Sequence, residues 1–210
     1  MRIINVMGAS IDGRIASHPT ESDADRKRYG FTNEADHAHL HRLLTECDAV
    51  IAGGHSVNVS GGVMEGESDK GPNPTWILCS NKGFSWDAPI WSRPHTPKWM
   101  VSKNVLSADR IGPAVRAIHY GDESFVATVL SACEAAGFKR VLLFGGGVIN
   151  RQFYQAGAVD ELILTLCPVV VGRATGVPVV APELDLPVRL NLASLEKQGD
   201  LVFLHYLVER

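Results

Sequence analysis

The amino-acid sequence predicts one α/β domain over residues 1–210, with a central mixed, mostly parallel sheet flanked by helices on both faces. Short apolar runs that suit buried strands alternate along the chain with amphipathic stretches that suit helices, and this alternation is typical of parallel sheets. The last two apolar runs have no convincing helix between them, so we expect an antiparallel pair at one end of the sheet. A chain of 210 residues is long enough to bury a complete hydrophobic core.

Each element of this alternation can be placed on the sequence. Seven apolar runs predict strands, at residues 3–7, 48–52, 75–79, 99–102, 141–144, 159–166 and 201–208. Three amphipathic stretches predict helices: one that Asn33 caps and that reaches Cys47, one over residues 123–136 that Gly137 ends, and one over residues 148–156. The polar residues 19–29 predict a surface loop. Residues 60–74 predict a long loop that is a lid, a binding loop or a disordered segment.

Composition narrows the function classes. Twenty Lys and Arg against 23 Asp and Glu leave a formal charge of -3, which offers no field for nucleic acid. No apolar stretch has the length of a membrane span, and the N-terminus lacks the pattern of a signal peptide. The four cysteines are far apart and form no CxxC pair, which argues against a zinc framework and favours a reducing compartment. We therefore expect a cytoplasmic protein without nucleic-acid or membrane partners.

The run Val141-Leu-Leu-Phe-Gly-Gly-Gly-Val-Ile-Asn150 is the most informative local feature. A buried strand leads into Gly145, Gly146 and Gly147, which open a helix. Glycine lets backbone N–H groups approach a phosphate closely, and the positive end of the following helix dipole favours an anion. The run is neither GxGxxG nor a P-loop, however, so a tight strand-to-helix turn that needs glycine for geometry alone explains it as well.

Several separated segments together resemble the reductase domain of riboflavin biosynthesis, the C-terminal half of RibD proteins, which has a dihydrofolate-reductase-like fold. The family patterns S-x-D-G-[KR]-I, D-A-V-L-V-G, L-x-E-G-G, V-D-E-L and P-x-x-x-G match, in order, residues 9–15, 48–53, 142–147, 159–162 and 168–172. Each match is weak alone, and together they cover most of the chain. The resemblance implies an NADPH-dependent reductase that acts on a small molecule and forms homodimers.

The resemblance also implies which residues bind the cofactor. It places Gly145, Gly146, Gly147 and Val148 against the pyrophosphate, with Gly53 near the same cleft. Ser80 and Lys82 follow the third predicted strand, in a region where such domains hold the adenosine 2′-phosphate, and a lysine has the required charge. A solvated turn explains Lys82 equally well.

Asp12 and Ser10 are the candidate catalytic residues. They follow the first strand, in the loop that the resemblance places at the nicotinamide end of the cofactor. The family reduces a ribosylamino group to a ribitylamino group, and a protein group must deliver the proton. Asp-Gly is also a common turn pair, so Asp12 and Ser10 have a purely structural explanation too.

The chain departs from the family pattern at three places. Phe144 stands where an acidic residue precedes the glycines, and Leu44 stands where an arginine usually holds the substrate phosphate. Residues 61–66 replace a D-D-P loop. The zinc deaminase motifs of RibD are absent, so we expect no metal. These departures leave the substrate open between the riboflavin-pathway pyrimidine and a dihydrofolate-like pterin, and a non-catalytic nucleotide-binding homologue is a third interpretation.

The remaining candidates have simpler explanations. His37 and His41 share a helix face at metal-capable spacing, but no third ligand is evident and a solvated face is favoured. Residues 26–28 are basic and suit a solvated loop, with a substrate phosphate as the alternative. The tryptophans at 76, 86, 91 and 99 suit core and loop anchors, one of which can line a pocket.

Overall fold

The computed structural model describes residues 1–60, 73–104 and 115–209, without the side chain of Ser60. The strands within these ranges are β1 (Arg2–Ser10), β2 (Arg14–Ala16), β3 (Ala49–Gly53), β4 (Thr75–Cys79), β5 (Lys98–Ser102), β6 (Val115–His119), β7 (Arg140–Gly145), β8 (Glu161–Cys167), β9 (Val177–Pro178), β10 (Leu190–Gln198) and β11 (Leu201–Val208). The helices are α1 (Asp23–Arg28), α2 (Glu34–Thr45), α3 (Gly54–Ser60), α4 (Phe125–Ala135) and α5 (Gly147–Gln155), with a 3-10 helix at Pro89–Ser92. The long loop predicted at residues 60–74 falls, at 61–72, outside the described residues.

Contacts divide the chain into two compact units. The first unit consists of Met1 and His41–Leu142, and the second consists of Arg2–Leu40 and Leu143–Arg210. Strand β7 contributes its first three residues to the first unit and its last three to the second. The expectation of a single domain over residues 1–210 stays a prediction.

In the first unit, strands follow the order β7-β3-β4-β5-β6. The pairs β3–β4, β4–β5 and β5–β6 are parallel. Every residue of β3, β4 and β5 is buried, as expected for parallel strands that are covered on both faces, whereas the edge strand β6 is largely exposed. Helix α4 begins at its N-cap Ser124 and buries Val126, Val129 and Cys133.

In the second unit, strands follow the order β10-β11-β8-β1-β7. The pair β1–β8 is parallel, and β8–β11 and β10–β11 are antiparallel. One face of this sheet packs Cys167, Leu201 and Phe203 against Phe31 and Ala35 at the start of α2. Asn5 pairs in register with Leu162 of β8, so their side chains share one face of the sheet. Cys167 lies an odd number of residues along β8 from Leu162, so it points to the other face. On the first face, the Asn5 side chain contacts Asn150 of α5. Helices therefore cover both faces of this sheet.

The predicted fold class is confirmed: the chain is α/β, with a mixed and mostly parallel sheet. All seven predicted strands and all three predicted helices are present, with ends shifted by a few residues. The antiparallel pair expected between the runs at 159–166 and 201–208 is the β8–β11 pair. Asn33 accepts the Asp36 N–H at 3.1 Å, and Gly137 follows the end of α4 with a positive φ, as predicted.

The surface loop predicted at residues 19–29 is wrong in part, because α1 lies within it. No apolar stripe marks this six-residue helix, which has no buried residue. Its stabilisation is local: Ser22 and Asp25 form a capping box, acidic residues occupy the first turn and basic residues the last. Arg26 is not simply solvated, since it donates to the Ile15 carbonyl and lies over the Phe31 ring.

Strand β10 was not predicted. Its apolar residues do not alternate regularly, because a register shift between Leu192 and Ser194 interrupts the pairing with β11. This bulge places Leu192 and Leu195 on the same face despite their odd spacing. Strands β2, β6 and β9 and helix α3 were also missed, and all four are short.

A group of charged side chains around the buried Glu161 joins three strands of the second unit. The Glu161 carboxylate, which is almost fully buried, accepts from Arg2 at 2.5 Å and contacts His205 Nε2 at 2.7 Å. The neighbouring Asp160 carboxylate accepts the Ile3 N–H at 2.8 Å. The acidic pair of the V-D-E-L segment is thus structural at this end of β8, where it ties β1 and β11 to β8.

No helix among the described residues is long and apolar enough to cross a membrane. The four cysteines are all free thiols, and three of them are buried. Burial raises the pKa of Cys47 to about 12 and that of Cys167 to about 11, so neither is a reactive thiolate near neutral pH.

Leu44 occupies the core, with a relative exposure of 1%. Leu44→Ala should lower the free energy of unfolding by about 2–5 kcal/mol, because it removes buried methyl groups and leaves a cavity. Urea unfolding followed by circular dichroism measures this loss. The exposed neighbour Thr45 supplies the control, since Thr45→Ala should cost less than about 0.5 kcal/mol. Equal effects at the two positions would contradict a core role for Leu44.

Candidate active site

The glycine turn between β7 and α5 requires each of its glycines for a separate steric reason. Gly145 and Gly146 have φ values of 31° and 93°, which disfavour residues with a side chain. A Cβ atom at position 145 would lie 1.8 Å from Asn150 Oδ1, and one at position 147 would lie 2.7 Å from the Pro178 carbonyl oxygen. The turn therefore needs glycine whether or not it holds a ligand.

The same turn presents the start of a nine-residue helix. Gly146 is the N-cap of α5 and supplies no side chain to cap it. The N–H groups of Gly147 and Val148, in the first turn, have no acceptor within the helix, and they carry the positive end of its dipole. Val148 is 58% exposed. This helix start suits a bound phosphate, while Asn150 and Pro178 fill the space beside Gly145 and Gly147.

Three buried polar side chains support the glycine turn from below. Asn5 Nδ2 donates to the Leu143 carbonyl at 2.8 Å and to Asn150 Oδ1 at 3.1 Å. Asn150 Nδ2 donates to the Val179 carbonyl at 2.7 Å, and the Tyr154 hydroxyl donates to Asn5 Oδ1 at 3.2 Å. Burial raises the pKa of Tyr154 well above its usual range, so this hydroxyl stays protonated and keeps its role as a donor.

The sequence analysis did not predict a role for Asn5, Asn150 or Tyr154. The one available signal was an asparagine in the middle of the otherwise apolar first strand, Ile3-Ile-Asn-Val-Met. A buried asparagine needs partners, and the sequence does not show where those partners lie. Only the fold brings residues 5, 143, 150 and 179 together.

Ser10 and Asp12 lie together in the turn that follows β1. The Ser10 hydroxyl donates to Asp12 Oδ1 at 2.7 Å and accepts the Arg14 N–H at 2.9 Å. Asp12 Oδ1 accepts the Val171 N–H at 2.9 Å, and Asp12 Oδ2 accepts the Gly172 N–H at 2.8 Å. Both carboxylate oxygens are therefore hydrogen-bonded, and the two residues connect the turn to the segment after β8.

These donors set the protonation state of Asp12. The backbone N–H groups of Val171 and Gly172, with the Ser10 hydroxyl, hold the pKa of Asp12 far below its usual range. The carboxyl group is thus ionised at neutral pH and carries no proton to deliver. Its contacts suit a residue that positions the backbone of residues 171–172.

The first unit brings Gly53, Ser80 and Lys82 close together. Gly53 ends β3 in register with Cys79, the residue before Ser80. The Ser80 hydroxyl donates to the Gly83 carbonyl at 2.8 Å and accepts the Lys82 N–H at 3.2 Å, and Lys82 itself is exposed. Asn81 Oδ1 accepts the Lys103 N–H at 2.8 Å, and Asn81 also bonds the Tyr120 hydroxyl. The turn is therefore well held, with a lysine at its surface.

Gly54, the neighbour of the predicted Gly53, is closely surrounded in this part of the fold. A Cβ atom at position 54 would lie 2.6 Å from Ser80 Cβ and 3.1 Å from Phe84 Cε1. Gly53 was predicted as a site residue because it matches the family segment. The adjacent glycine is the one that lets the start of α3 approach the Ser80 turn.

The predicted site residues thus form three local groups. Residues 145–148 are contiguous, Ser10 and Asp12 share a turn, and Gly53, Ser80 and Lys82 share the first unit. Within the second unit, β9 links two of the groups, because Pro178 contacts the Gly147 position and pairs with Arg14. No group of three potential metal ligands occurs in the described parts of the chain, His37 and His41 included.

Comparisons with known proteins bear on this arrangement. The model of the RibD C-terminal domain family matches residues 2–204. The 2,5-diamino-6-ribosylamino-4(3H)-pyrimidinone 5′-phosphate reductase of Aquifex aeolicus is 24% identical over 176 residues, which are 81% of this chain and 78% of its own. The reductase of the same name from Methanothermobacter thermautotrophicus is 22% identical over 217 residues, 95% and 94% of the two chains.

Solved structures agree on the fold. RibD of Acinetobacter baumannii has a TM-score of 0.82 at 17% identity, and the match covers 100% of this chain and 58% of the RibD chain. Dihydrofolate reductase of Enterococcus faecalis, complexed with NADP(H), has a TM-score of 0.59 at 13% identity, with 100% and 97% covered. The fold is that of the dihydrofolate-reductase-like class. More narrowly, the chain belongs to the RibD C-terminal domain family, which confirms the resemblance inferred from its motifs.

Asp12→Asn tests the structural role of the Asp12 carboxylate. Because the folded state lowers the pKa of Asp12, its stabilising effect is present above the unfolded value near 4 and is lost as the pH falls towards the folded value. The variant should be less stable than wild type at pH 7, and the difference should shrink below about pH 4. Urea unfolding at a series of pH values measures it.

The matched control is Asp122→Asn, since Asp122 is fully exposed and its one recorded ion pair is with Lys103 at 3.5 Å. That variant should follow wild type at every pH. A stability difference for Asp12→Asn that is independent of pH would contradict the assigned role.

Proposed function

We propose that this chain, as one domain over residues 1–210, is an NADPH-dependent reductase of riboflavin biosynthesis. It reduces the ribosylamino group of a phosphorylated aminopyrimidine to a ribitylamino group. The observation that carries the proposal is the family match over residues 2–204, within which the glycine turn follows β7. The names of the Aquifex and Methanothermobacter relatives support the same reaction.

Each unit contains a group of residues that suits one part of a nicotinamide dinucleotide. The helix start at Gly145–Val148 suits an anionic pyrophosphate, because its first N–H groups have no acceptor within α5 and carry the positive end of the helix dipole. The exposed Lys82 beside Ser80 suits the adenosine 2′-phosphate, which distinguishes NADPH from NADH. When bound, the nicotinamide supplies the hydride that the substrate carbon accepts.

In this proposal Asp12 and Ser10 position the site rather than transfer protons. The Asp12 carboxylate is ionised and accepts two backbone N–H bonds, so it holds residues 171–172 beside the end of β1. Ser10 directs its hydroxyl at Asp12 and fixes the following turn through the Arg14 N–H. The proton that accompanies the hydride then comes from solvent, since the ionised Asp12 carries none to deliver.

Titration of the purified protein with NADPH and NADH, followed by nicotinamide fluorescence, tests the cofactor. We expect micromolar affinity for NADPH and weaker affinity for NADH. Turnover assays with the riboflavin-pathway pyrimidine and with dihydrofolate then identify the substrate. Turnover of dihydrofolate but not of the pyrimidine would make dihydrofolate the substrate. If the protein binds neither nucleotide, the reductase assignment is overturned.

Lys82→Ala should reduce the affinity for NADPH by roughly tenfold and leave that for NADH unchanged, because only NADPH carries the phosphate that the lysine meets. The same fluorescence titration measures both affinities. Lys139→Ala removes an equally exposed lysine from the same unit and should change neither. A parallel loss for NADPH and NADH would place Lys82 away from the 2′-phosphate.

We also propose that the chain forms a homodimer through β10. This edge strand is exposed along nearly its whole length, with Leu192 54% and Leu195 60% exposed. By register these leucines lie on the same face as Tyr206 and Leu204 of β11. A contiguous apolar face of this kind on an edge strand favours burial against a second copy. The four free thiols favour the cytoplasm as the place where it acts.

Leu195→Glu should convert the dimer to a monomer, because it places a charge in the apolar face. Size-exclusion chromatography with light scattering at a fixed protein concentration measures the mass. Leu186→Glu changes an equally exposed leucine outside the sheet and should leave the dimer intact. A monomeric wild type, or a dimeric Leu195→Glu protein, would refute this interface.

A further inference from the structure

The loop between β4 and β5 carries an aromatic cluster that the proposed function does not use. Phe84 is buried, whereas Trp86 and Trp91 are partly exposed. The Trp86 and Trp91 rings lie 4.8 Å apart with an angle of 37° between their planes. Phe84 meets Trp91 edge-on at 5.6 Å. The three rings therefore form one cluster, in which Trp91 contacts both Phe84 and Trp86.

The backbone around the cluster is held in place. Trp91 Nε1 donates to the Ser85 carbonyl at 2.8 Å, and the Ser85 N–H donates to Asn58 Oδ1 of α3 at 2.8 Å. The 3-10 helix at Pro89–Ser92 buries Ile90 completely. Phe84 and Ile90 thus supply the core of this loop, and Trp86 is not needed for that purpose.

The cluster follows directly in sequence on the turn that carries Ser80 and Lys82, and Phe84 and Ser80 both lie beside Gly54. Phe84 Cε1 and Ser80 Cβ both crowd the Cβ position of Gly54, at 3.1 Å and 2.6 Å. Ser80 also binds the Gly83 carbonyl, immediately before Phe84. The aromatic rings therefore begin where the lysine-bearing turn ends.

The pairing of an exposed cation with a partly exposed indole suits an adenosine phosphate. The lysine attracts the phosphate, and the flat face of a tryptophan stacks on a purine ring, which is attached through the same ribose. The Trp86 ring packs against Trp91 and is partly exposed. The exposed part of the indole is the part that a purine would meet.

We propose that Trp86, backed by Trp91 and Phe84, binds the adenine ring of the cofactor. This inference rests on the proposed function, since it assumes that a nicotinamide dinucleotide binds with its 2′-phosphate at Lys82. It adds a base-stacking residue on the β4–β5 loop to the phosphate contacts already described. The adenosine half of the cofactor is then held within the first unit by one turn and one loop.

The test compares wild type, Trp86→Leu and Trp86→Phe in titrations with three ligands. These are NADPH, adenosine 2′,5′-bisphosphate, and reduced nicotinamide mononucleotide, which lacks the adenosine. Trp86→Leu should weaken the binding of the first two by about tenfold, because a purine–aromatic stack is lost. Trp86→Phe keeps an aromatic face and should lose less than about threefold. The mononucleotide should bind all three proteins equally.

Different failures have different meanings in this experiment. If wild type and Trp86→Leu bind NADPH with the same affinity, the adenine site is overturned and the reductase assignment stands. Wild type that binds no NADPH overturns both. If Trp86→Leu does not fold, wild type and Trp86→Phe still decide: adenosine 2′,5′-bisphosphate should quench wild-type tryptophan fluorescence, and Trp86→Phe should lose most of that quenching. Equal quenching in both proteins overturns the proposal.

Discussion

The contact between Gly145 and the Asn150 side chain is the constraint on which the second unit depends. The Asn150 amide occupies the space that a Cβ at position 145 would need, and this allows it to reach both Asn5 and the Val179 carbonyl. The Asn150 side chain therefore joins α5 to β1 and to the segment that ends at Val179. It does so beside Gly145, the last residue of β7. A buried network of this kind stabilises one arrangement strongly, because every unmet partner would be a desolvated polar group. The glycine turn keeps its shape because these amides hold the backbone there.

Residues 169–181 are held between two such anchors. At one end, Asp12 accepts from Val171 and Gly172, and the Ile11 N–H donates to the Val169 carbonyl. At the other end, Asn150 bonds the Val179 carbonyl, and the Ala181 N–H donates to Gly147. The turn after β1 and the glycine turn after β7 therefore share a covering segment. Asp12, which was predicted to be catalytic, and Asn150, which was not predicted, therefore both hold this segment in place.

The parts of the fold that follow from local pattern could be predicted, and the parts that depend on tertiary contacts could not. Buried strands and amphipathic helices are visible as apolar runs, and the glycine turn is visible because it needs unusual backbone angles. Helix α1 escaped notice because its stabilisation comes from a capping box rather than from an apolar stripe. Strand β10 escaped because a bulge breaks its alternation. Within the site, residue types suggested Asp12 and Lys82, but hydrogen-bond partners decide protonation, and no pattern shows them.

Each position of the glycine turn is closed to substitution by its own surroundings, and this limits how the site can change over time. Residues 145 and 147 are blocked by neighbouring atoms, and residue 146 by its backbone angles. Val148 is different, because its side chain points outward from the first turn of α5 and is largely exposed. A substitution at position 148 can therefore change the surface of the first turn of α5 while the glycine turn before it keeps its shape. Positions 145, 146 and 147 are thus restricted to glycine, and position 148 is open to other residues.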